Sequence, residues 1–224
     1  MKTVAIIVAA GEGMRMGQSK QFIEILGKPI LSWTISVFEE SEFIDDIILV
    51  VNFSDIERAK SFKFKKIINV VEGGREREDS VYNGLKVVGG DVDVVLIHDG
   101  ARPLLTKNII ASAISEVKVS PAVVVGVPII DTVKKIGDEN FIISTEDREA
   151  LWLAQTPQVF KYKLIKEAYD RAYKVGYKAT DDSTLVERLG YKAKIIMGSY
   201  ENIKITFPED LIIAEAILER RLEL

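Results

Sequence analysis

The sequence contains no cysteine and only one histidine, His98, among its 224 residues. Without cysteine, disulfides, thiolate nucleophiles and cysteine metal sites are excluded. One histidine cannot build a multi-histidine zinc site, and any Ser-His-Asp triad would have to pass through it. No acid and nucleophile are placed around His98 in a pattern typical of such a triad. We therefore interpret His98 as a packed, hydrogen-bonded structural residue.

Long hydrophobic runs and clusters of charge of one sign are also missing. The apolar stretch Val4 to Ala10 is too short to span a bilayer, and glycines follow it where a signal peptide would show a cleavage site. The formal net charge is −4, with basic and acidic residues interspersed. No Lys- or Arg-rich stripe indicates nucleic acid as the main partner. We expect a cytoplasmic protein that binds neither membranes nor nucleic acid.

Short β-branched runs alternate with segments of helical periodicity, which predicts an α/β fold with a mostly parallel sheet covered on both faces. The predicted strands are Thr3–Ala9, Ile47–Val51, Ile67–Val71, Val92–Ile97, Ala122–Val127 and Lys192–Met197. The predicted helices are Pro29–Glu40, Asp55–Phe62, a segment from Gly73-Gly74 to about Val88, Lys107–Val117 with Thr106 as N-cap, Tyr162–Val175, one after Thr180-Asp181-Asp182, and Pro208–Arg221.

The alternation breaks after residue 131. Thr132–Ile136 and Phe141–Ser144 flank a turn, which predicts an antiparallel hairpin, and a β-rich segment, Leu151–Phe160, follows. The apolar side chains of the hairpin need a surface to cover them. Either the hairpin is a flap folded onto its own domain, or it is an arm that packs on a second subunit. Residues 1–224 then form one domain, with residues 132–155 as the β arm.

A glycine-rich loop, Ala9 to Lys20, directly follows the first strand. Ligands of open α/β sheets bind at the carboxyl ends of strands, and backbone N–H groups of such loops can cradle phosphates. A dinucleotide fingerprint fits poorly because the third glycine comes one residue late, and a P-loop fails because Gln18 follows Gly17. A third interpretation places a triphosphate in the loop with Arg15 and Lys20 beside its α-phosphorus. A tight turn with two solvated cations remains open.

Other polar residues lie at predicted strand ends. Asp99, which ends the fourth strand, could hold Mg²⁺ or a hydroxyl, and Arg102 could meet a phosphate. An Asp–Arg turn pair is an equal alternative. The Gly73-Gly74 break could admit a flat base, with Ser80 as a hydrogen-bonding partner, although helix caps and solvated charges explain the same pattern. Lys204 stands out because it interrupts an apolar run before the last helix.

Taken in order, these motifs resemble one enzyme family. They are Ala-Ala-Gly-x-Gly-x-Arg-Met with Lys-Gln, Gly-Gly-x-x-Arg-x-Asp-Ser-Val, His-Asp-x-Ala-Arg-Pro, Asp-Thr-Val-Lys, Leu-Trp-x-Ala-Gln-Thr-Pro-Gln-x-Phe, Thr-Asp-Asp and Asn-Ile-Lys-Ile-Thr. The set is similar to 2-C-methyl-D-erythritol 4-phosphate cytidylyltransferases of the non-mevalonate isoprenoid pathway, from Ala9 to about Leu211. Ser19 stands where the family usually has proline, and Gly100 where it usually has alanine.

The resemblance implies a Rossmann-like sheet, CTP and 2-C-methyl-D-erythritol 4-phosphate as substrates, Mg²⁺ or another divalent cation, and a homodimer that exchanges its β arms. It implies that Arg15 and Lys20 stabilise the transition state at the α-phosphorus, and that Arg148 and Lys204 position the alcohol phosphate. Residues implied at the nucleotide are Ala9, Ala10, Gly11, Gly13, Gly74, Ser80 and Gly100. Those implied at the alcohol phosphate are Asp99, Arg102, Thr132 and Thr180, with Asp99 also a candidate metal ligand, although the CTP phosphates would hold most of the Mg²⁺. Ribitol-5-phosphate cytidylyltransferase is the nearest alternative; a silent nucleotide sensor and a nicotinamide dehydrogenase are more distant ones.

Overall fold

A computed structural model describes residues 1–11 and 19–223. Parallel strands and helices alternate through the first part of the chain. In order, the elements up to residue 128 are β1 Thr3–Ala9, β2 Glu24–Ile25, β3 Lys28–Pro29, α1 Ile30–Glu39, β4 Asp46–Val51, α2 Ile56–Lys60, β5 Ile67–Glu72, α3 Arg77–Lys86, β6 Val94–Asp99, α4 Lys107–Glu116 and β7 Ala122–Pro128.

The second part begins with the predicted hairpin and ends with helices. Its elements are β8 Lys134–Ile136, β9 Ile142–Thr145, β10 Trp152–Lys161, α5 Tyr162–Val175, α6 Asp182–Arg188, β11 Lys194–Met197 and α7 Glu209–Leu222. These bounds agree with the sequence-based prediction to within a few residues, and α5 matches it at both ends.

The central sheet comprises seven strands among the described residues, in the order β11-β7-β10-β6-β1-β4-β5. All pairs are parallel except those of β10, which lies between β6 and β7 and runs antiparallel to both. The sheet is therefore mixed, with one reversed strand in its interior. On either side of β1, the strand order runs in opposite directions, and such a reversal is where ligands bind in open α/β sheets.

Strands in the middle of the sheet are apolar on both faces because both faces are covered. All seven residues of β1 are buried or nearly so, as are all six of β6. One core packs α1 and α4 against the sheet, and the other packs α3, α5 and α6 against the opposite face. A third, smaller cluster joins α7 to the β2–β3 ribbon. None of the described helices is long and apolar enough to cross a membrane.

The β8–β9 hairpin does not fold back onto its own domain. Ile136, Phe141, Ile142 and Ile143 each expose more than half of their surface, from 55% to 71%. The flap interpretation is therefore wrong for the single chain. An apolar patch of this kind is typical of an interface.

Candidate active site

A cleft opens at the carboxyl edge of the sheet, where β1 and β6 end side by side. The parallel register places Val8 opposite Asp99, so the loops that follow the two strands leave the sheet together. The cleft is lined by Val8, Ala9, Ala10, Gly11, Lys20, Gln21, Gly74, Arg75, Glu76, Arg77, Ser80, Asp99, Ala101 and Lys204. Segments from five distant stretches of chain thus meet at one edge.

One side of the cleft is built from backbone at the start of α3. A reciprocal capping box begins this helix: the Glu76 side chain accepts from the Asp79 backbone, and Asp79 accepts from the Glu76 N–H at 3.0 Å. The Gly74 N–H donates to Ser80 Oγ at 3.0 Å, and the Ser80 hydroxyl donates to Glu76 O. A Cβ on Gly74 would lie 2.1 Å from that of Asp79, so only glycine fits this approach.

The opposite side of the cleft carries charge. The buried Asp99 carboxylate receives Arg77 Nε on Oδ1 at 2.9 Å, and Lys204 Nζ and Arg102 Nε on Oδ2 at 2.9 and 3.5 Å. Burial would raise the pKa of Asp99, but the charges of Arg77, Lys204 and Arg102 outweigh it and hold the pKa well below its usual range. Asp99 is therefore ionised at every physiological pH.

Arg102 and Lys204 are held by the segment before α7. Arg102 donates from NH1 to Asn202 O at 2.7 Å, and the buried Asn202 amide donates to Thr156 O at 2.9 Å. The Lys204 side chain keeps 40% of its surface exposed. Lys204 thus presents its ammonium to the cleft while remaining within reach of Asp99.

Lys20 enters the cleft from a short 3-10 turn, Lys20–Phe22. Its Nζ donates to Ile205 O at 2.8 Å, beside Lys204. Phe22 anchors the turn in the core, where its ring stacks on Phe62 and the Arg58 guanidinium carbon lies 4.3 Å from its ring centroid. Ser19, at the position where the family usually has proline, donates to Asp55 at 3.2 Å and so ties the start of the turn to the chain before α2.

His98 is fully buried and lies under the site rather than in it. Its Nδ1 contacts Thr156 Oγ1 at 3.0 Å and its Nε2 contacts Arg102 O at 3.2 Å, while Thr156 Oγ1 also accepts from the Asp99 N–H. Burial lowers the pKa of His98 to about 4, which keeps the ring neutral. The prediction of a packed structural histidine is confirmed.

The structure brings together a subset of the residues predicted from sequence. Lying on the cleft are Ala9, Ala10, Gly11, Lys20, Gly74, Ser80, Asp99 and Lys204. Arg102 lies behind it, bound to Asp99. Gly100 is buried beside it, and a Cβ there would come within 2.8 Å of Ala9 Cβ, so the family's usual alanine would require a local shift. Gly13 and Arg15 lie outside the described residues.

Three predicted residues do not line the cleft of the single chain. Thr132 and Arg148 lie exposed on the β arm, where Arg148 donates to Ile130 O at 2.5 Å. Thr180 is exposed just before α6, and its neighbour Asp181 forms the N-cap. These three residues could reach an active site only with a second molecule or through a rearrangement on ligand binding.

Sequence reasoning missed several residues of the site. Gln21 is buried and donates to Gly11 O at 3.3 Å, and Arg77 joins Asp99 to Asp182. Both belong to motifs that carry the family resemblance, next to residues that did receive roles. The signal that could have identified Arg77 is its charged side chain three residues after the Gly73-Gly74 break.

Residues that could hold a resident metal ion are not assembled here. Within residues 1–11 and 19–223, no group of three or more acidic or histidine side chains is placed to hold one. Both Asp99 oxygens are in contact with cations. The donor set does not fit a protein-bound metal, so the prediction of Asp99 as a metal ligand gains no support.

Comparison with known proteins decides the family. The family model IspD, 2-C-methyl-D-erythritol 4-phosphate cytidylyltransferase, matches residues 3–220. The chain belongs to this family. Curated cytidylyltransferases of that name are 52% identical in Alkaliphilus oremlandii, over 99% of this chain and 97% of that protein, and 47% identical in Caldanaerobacter subterraneus subsp. tengcongensis, over 98% and 100%.

Solved structures of the IspD family share the fold. The 4-diphosphocytidyl-2C-methyl-D-erythritol synthase of Anaerococcus prevotii superimposes with a TM-score of 0.89 at 36% identity, covering 97% of this chain and 96% of its own. The cytidylyltransferase of Thermus thermophilus gives 0.81 at 30% identity, covering 96% and 98%. The predicted α/β fold and the predicted family are both confirmed.

Proposed function

We propose that this chain transfers the cytidylyl group of CTP to 2-C-methyl-D-erythritol 4-phosphate, giving 4-diphosphocytidyl-2-C-methyl-D-erythritol and pyrophosphate. The observation that carries the proposal is that Lys20 and Lys204 line one cleft, with Arg102 behind it on Asp99, in a chain of this family. The reaction brings a phosphate monoester up to a triphosphate, and cations that meet both reactants offset their repulsion.

The reaction needs no general base on the protein. A phosphate oxygen of the alcohol phosphate attacks the α-phosphorus of CTP, the bond from that phosphorus to the bridging oxygen breaks, and pyrophosphate leaves with the electron pair. The second pKa of a phosphate monoester is about 6, so the nucleophile is mostly dianionic at neutral pH. A neutral, buried His98 agrees with this chemistry.

The two sides of the cleft suit the two reactants. Backbone of Ala9, Ala10, Gly11 and Gly74, with Ser80 behind it, forms the nucleotide side, to which we also assign Gly13 and Gly100. Lys20 and Arg15 stabilise charge at the α-phosphorus. On the other side, Lys204 and Arg102 receive the phosphate of the alcohol substrate. We also assign Asp99 and Thr180 to the alcohol part of that substrate.

Mg²⁺ belongs to the substrate rather than to the protein in this proposal. The phosphates of CTP carry the cation into the cleft, where it neutralises part of the triphosphate charge. This arrangement agrees with the absence, in the part of the chain that the structure describes, of an assembled set of metal ligands. The residues listed above then bind and orient the metal–nucleotide complex.

A homodimer would complete the site. The exposed apolar residues of the hairpin would pack on a second copy, and Thr132 and Arg148 would reach the partner's cleft. Two observations support this arrangement. The apolar side chains of the arm are not covered by its own domain, and both Thr132 and Arg148 lie away from the cleft of their own chain. We place the reaction in the cytoplasm.

A pyrophosphate-release assay tests the proposed function. Each of the four ribonucleoside triphosphates is combined with methylerythritol phosphate and, separately, with ribitol 5-phosphate. We expect pyrophosphate with CTP and methylerythritol phosphate, and rates at least about tenfold lower for every other pair. Faster release with ribitol 5-phosphate would reassign the alcohol, and release with no pair would overturn the transferase function.

A further inference from the structure

Arg77 forms a two-sided ion bridge in the wall of the cleft. Its Nε donates to Asp99 Oδ1 at 2.9 Å, and its two terminal nitrogens donate to the two oxygens of Asp182 at 3.2 and 3.0 Å. All three nitrogens of the planar guanidinium thus donate to carboxylate oxygens. A lysine could not reproduce this bridge, because an ammonium is a compact point charge without a fork.

The bridge ties three elements together. Arg77 is the first residue of α3, Asp99 ends β6, and Asp182 begins α6. Asp182 is fully buried and also accepts from the Tyr169 hydroxyl of α5, so its position is fixed from behind. Arg77 therefore joins the nucleotide side of the cleft, where α3 begins, to the charged side.

The contact of Arg77 with Asp99 affects the cations on the other oxygen. Lys204 and Arg102 both approach Oδ2, while Arg77 occupies Oδ1. Without Arg77, Oδ1 would lose its cation, and Lys204 and Arg102 would have to balance the whole charge of Asp99.

We propose that Arg77 is a positioning residue that holds one oxygen of Asp99 and so leaves Lys204 and Arg102 available to the phosphate of the alcohol substrate. The inference rests on the proposed function, which assigns those two cations to that phosphate. Arg77 touches neither reacting phosphorus in this role. It acts through Asp99, and its loss weakens the second substrate more than the nucleotide.

A purely structural role is the competing explanation, because Arg77 also neutralises the buried Asp182. Two variants separate the roles. Arg77→Met removes the ion pair of Asp182 and the contact on Oδ1 of Asp99. The double variant Arg77→Met/Asp182→Asn removes the unpaired charge, while Asn can still accept from Tyr169, so it repairs the buried position but not Asp99.

Steady-state kinetics and thermal unfolding are measured on the same preparations. We expect Arg77→Met to lower Tm by roughly 5 °C or more, and the double variant to regain most of that loss. The double variant should nevertheless keep a KM for methylerythritol phosphate raised about tenfold or more, with the KM for CTP within about threefold of wild type. Arg77→Lys provides the same KM comparison if the double variant does not fold.

Arg171→Met is the matched control, because it removes a guanidinium paired with Glu167 on the exposed side of α5. Wild-type values for both substrates in the double variant would show that Arg77 only balances Asp182 and would overturn the inference. An equal rise of both KM values would do the same. Failure of the wild-type enzyme to release pyrophosphate is seen before any variant is compared, and it counts against the proposed function instead.

Discussion

Lys20 reaches the cleft from a turn whose following side chains, Gln21 and Phe22, are buried. A cation held on such a support is pre-organised, and a pre-organised charge stabilises a transition state without reorganisation during the reaction. We expect Lys20→Ala, and likewise Arg15→Ala, to lower kcat by roughly 10²–10³. Steady-state kinetics check this, with Lys60→Ala, a surface residue paired with Glu57, as control. A raised KM with unchanged kcat would remove the assigned role.

His98 is the one histidine of the chain, so it alone gives the histidine contribution to the pH dependence of stability. Burial lowers the pKa of His98 to about 4, whereas the ring titrates near 6.5 in an unfolded chain. Between these values the unfolded chain binds a proton that the folded chain does not. The free energy of unfolding should therefore fall as the pH drops, by about 2 kcal/mol between pH 7 and pH 5. The lowered pKa of Asp99 acts only below about pH 4.

Urea denaturation at several pH values measures this effect. His98→Gln should flatten the dependence between pH 7 and pH 5, whatever its absolute stability, because the chain has no other histidine. Equal slopes in wild type and variant would show that His98 is not the group responsible.

At this scale the sequence predicted individual residues better than their partners. Asp99, Arg102 and Lys204 could be proposed from their motifs, and the structure places them in contact. The bond from Arg77 to Asp182 spans 105 positions, and no local pattern encodes such a pairing. The glycine loop between residues 12 and 18 stays a prediction.

Among the elements, α3 carries the nucleotide side of the cleft, and its start is fixed by the capping box of Glu76 and Asp79. Removing a side-chain cap leaves backbone donors unsatisfied, so Glu76→Ala should lower the free energy of unfolding by about 1 kcal/mol. Glu76→Ser should retain most of the stability, because serine caps helices well. Denaturant unfolding measures both variants. Equal losses in the two would mean that the cap is not what Glu76 contributes.

The predictability of the elements followed their periodicity. Both ends of α5 could be predicted from the sequence. An apolar face repeats along this helix, and Gly176, in the left-handed conformation, ends it. β10 was predicted as a β-rich segment, but its place between β6 and β7 was not. Pairing partners depend on which edges are free in three dimensions, and a run of apolar residues fits any of them.

In the molecule as a whole, the β arm decides whether one chain holds a complete site. If arms are exchanged in a dimer, a Lys20→Ala chain and an Arg148→Ala chain should complement each other. When the two chains are co-expressed at equal levels, half of the dimers contain one chain of each kind. One of the two sites in such a mixed dimer is intact, so activity should recover to about a quarter of wild type. Kinetics on the co-purified mixture measure it, with each variant alone as control. No recovery above the separate variants would place Arg148 at the site of its own chain.

The interior position of β10 dictates a sequence of events for a chain leaving the ribosome. Its two neighbours, β6 and β7, are complete by residue 128, yet the strand that joins them ends only at Lys161. Until then β6 and β7 have no strand to join them, and β11, the other neighbour of β7, follows later still. Synthesis of the arm therefore comes before closure of the sheet, and the hydrophobic hairpin is exposed to other chains while the body is still unfinished.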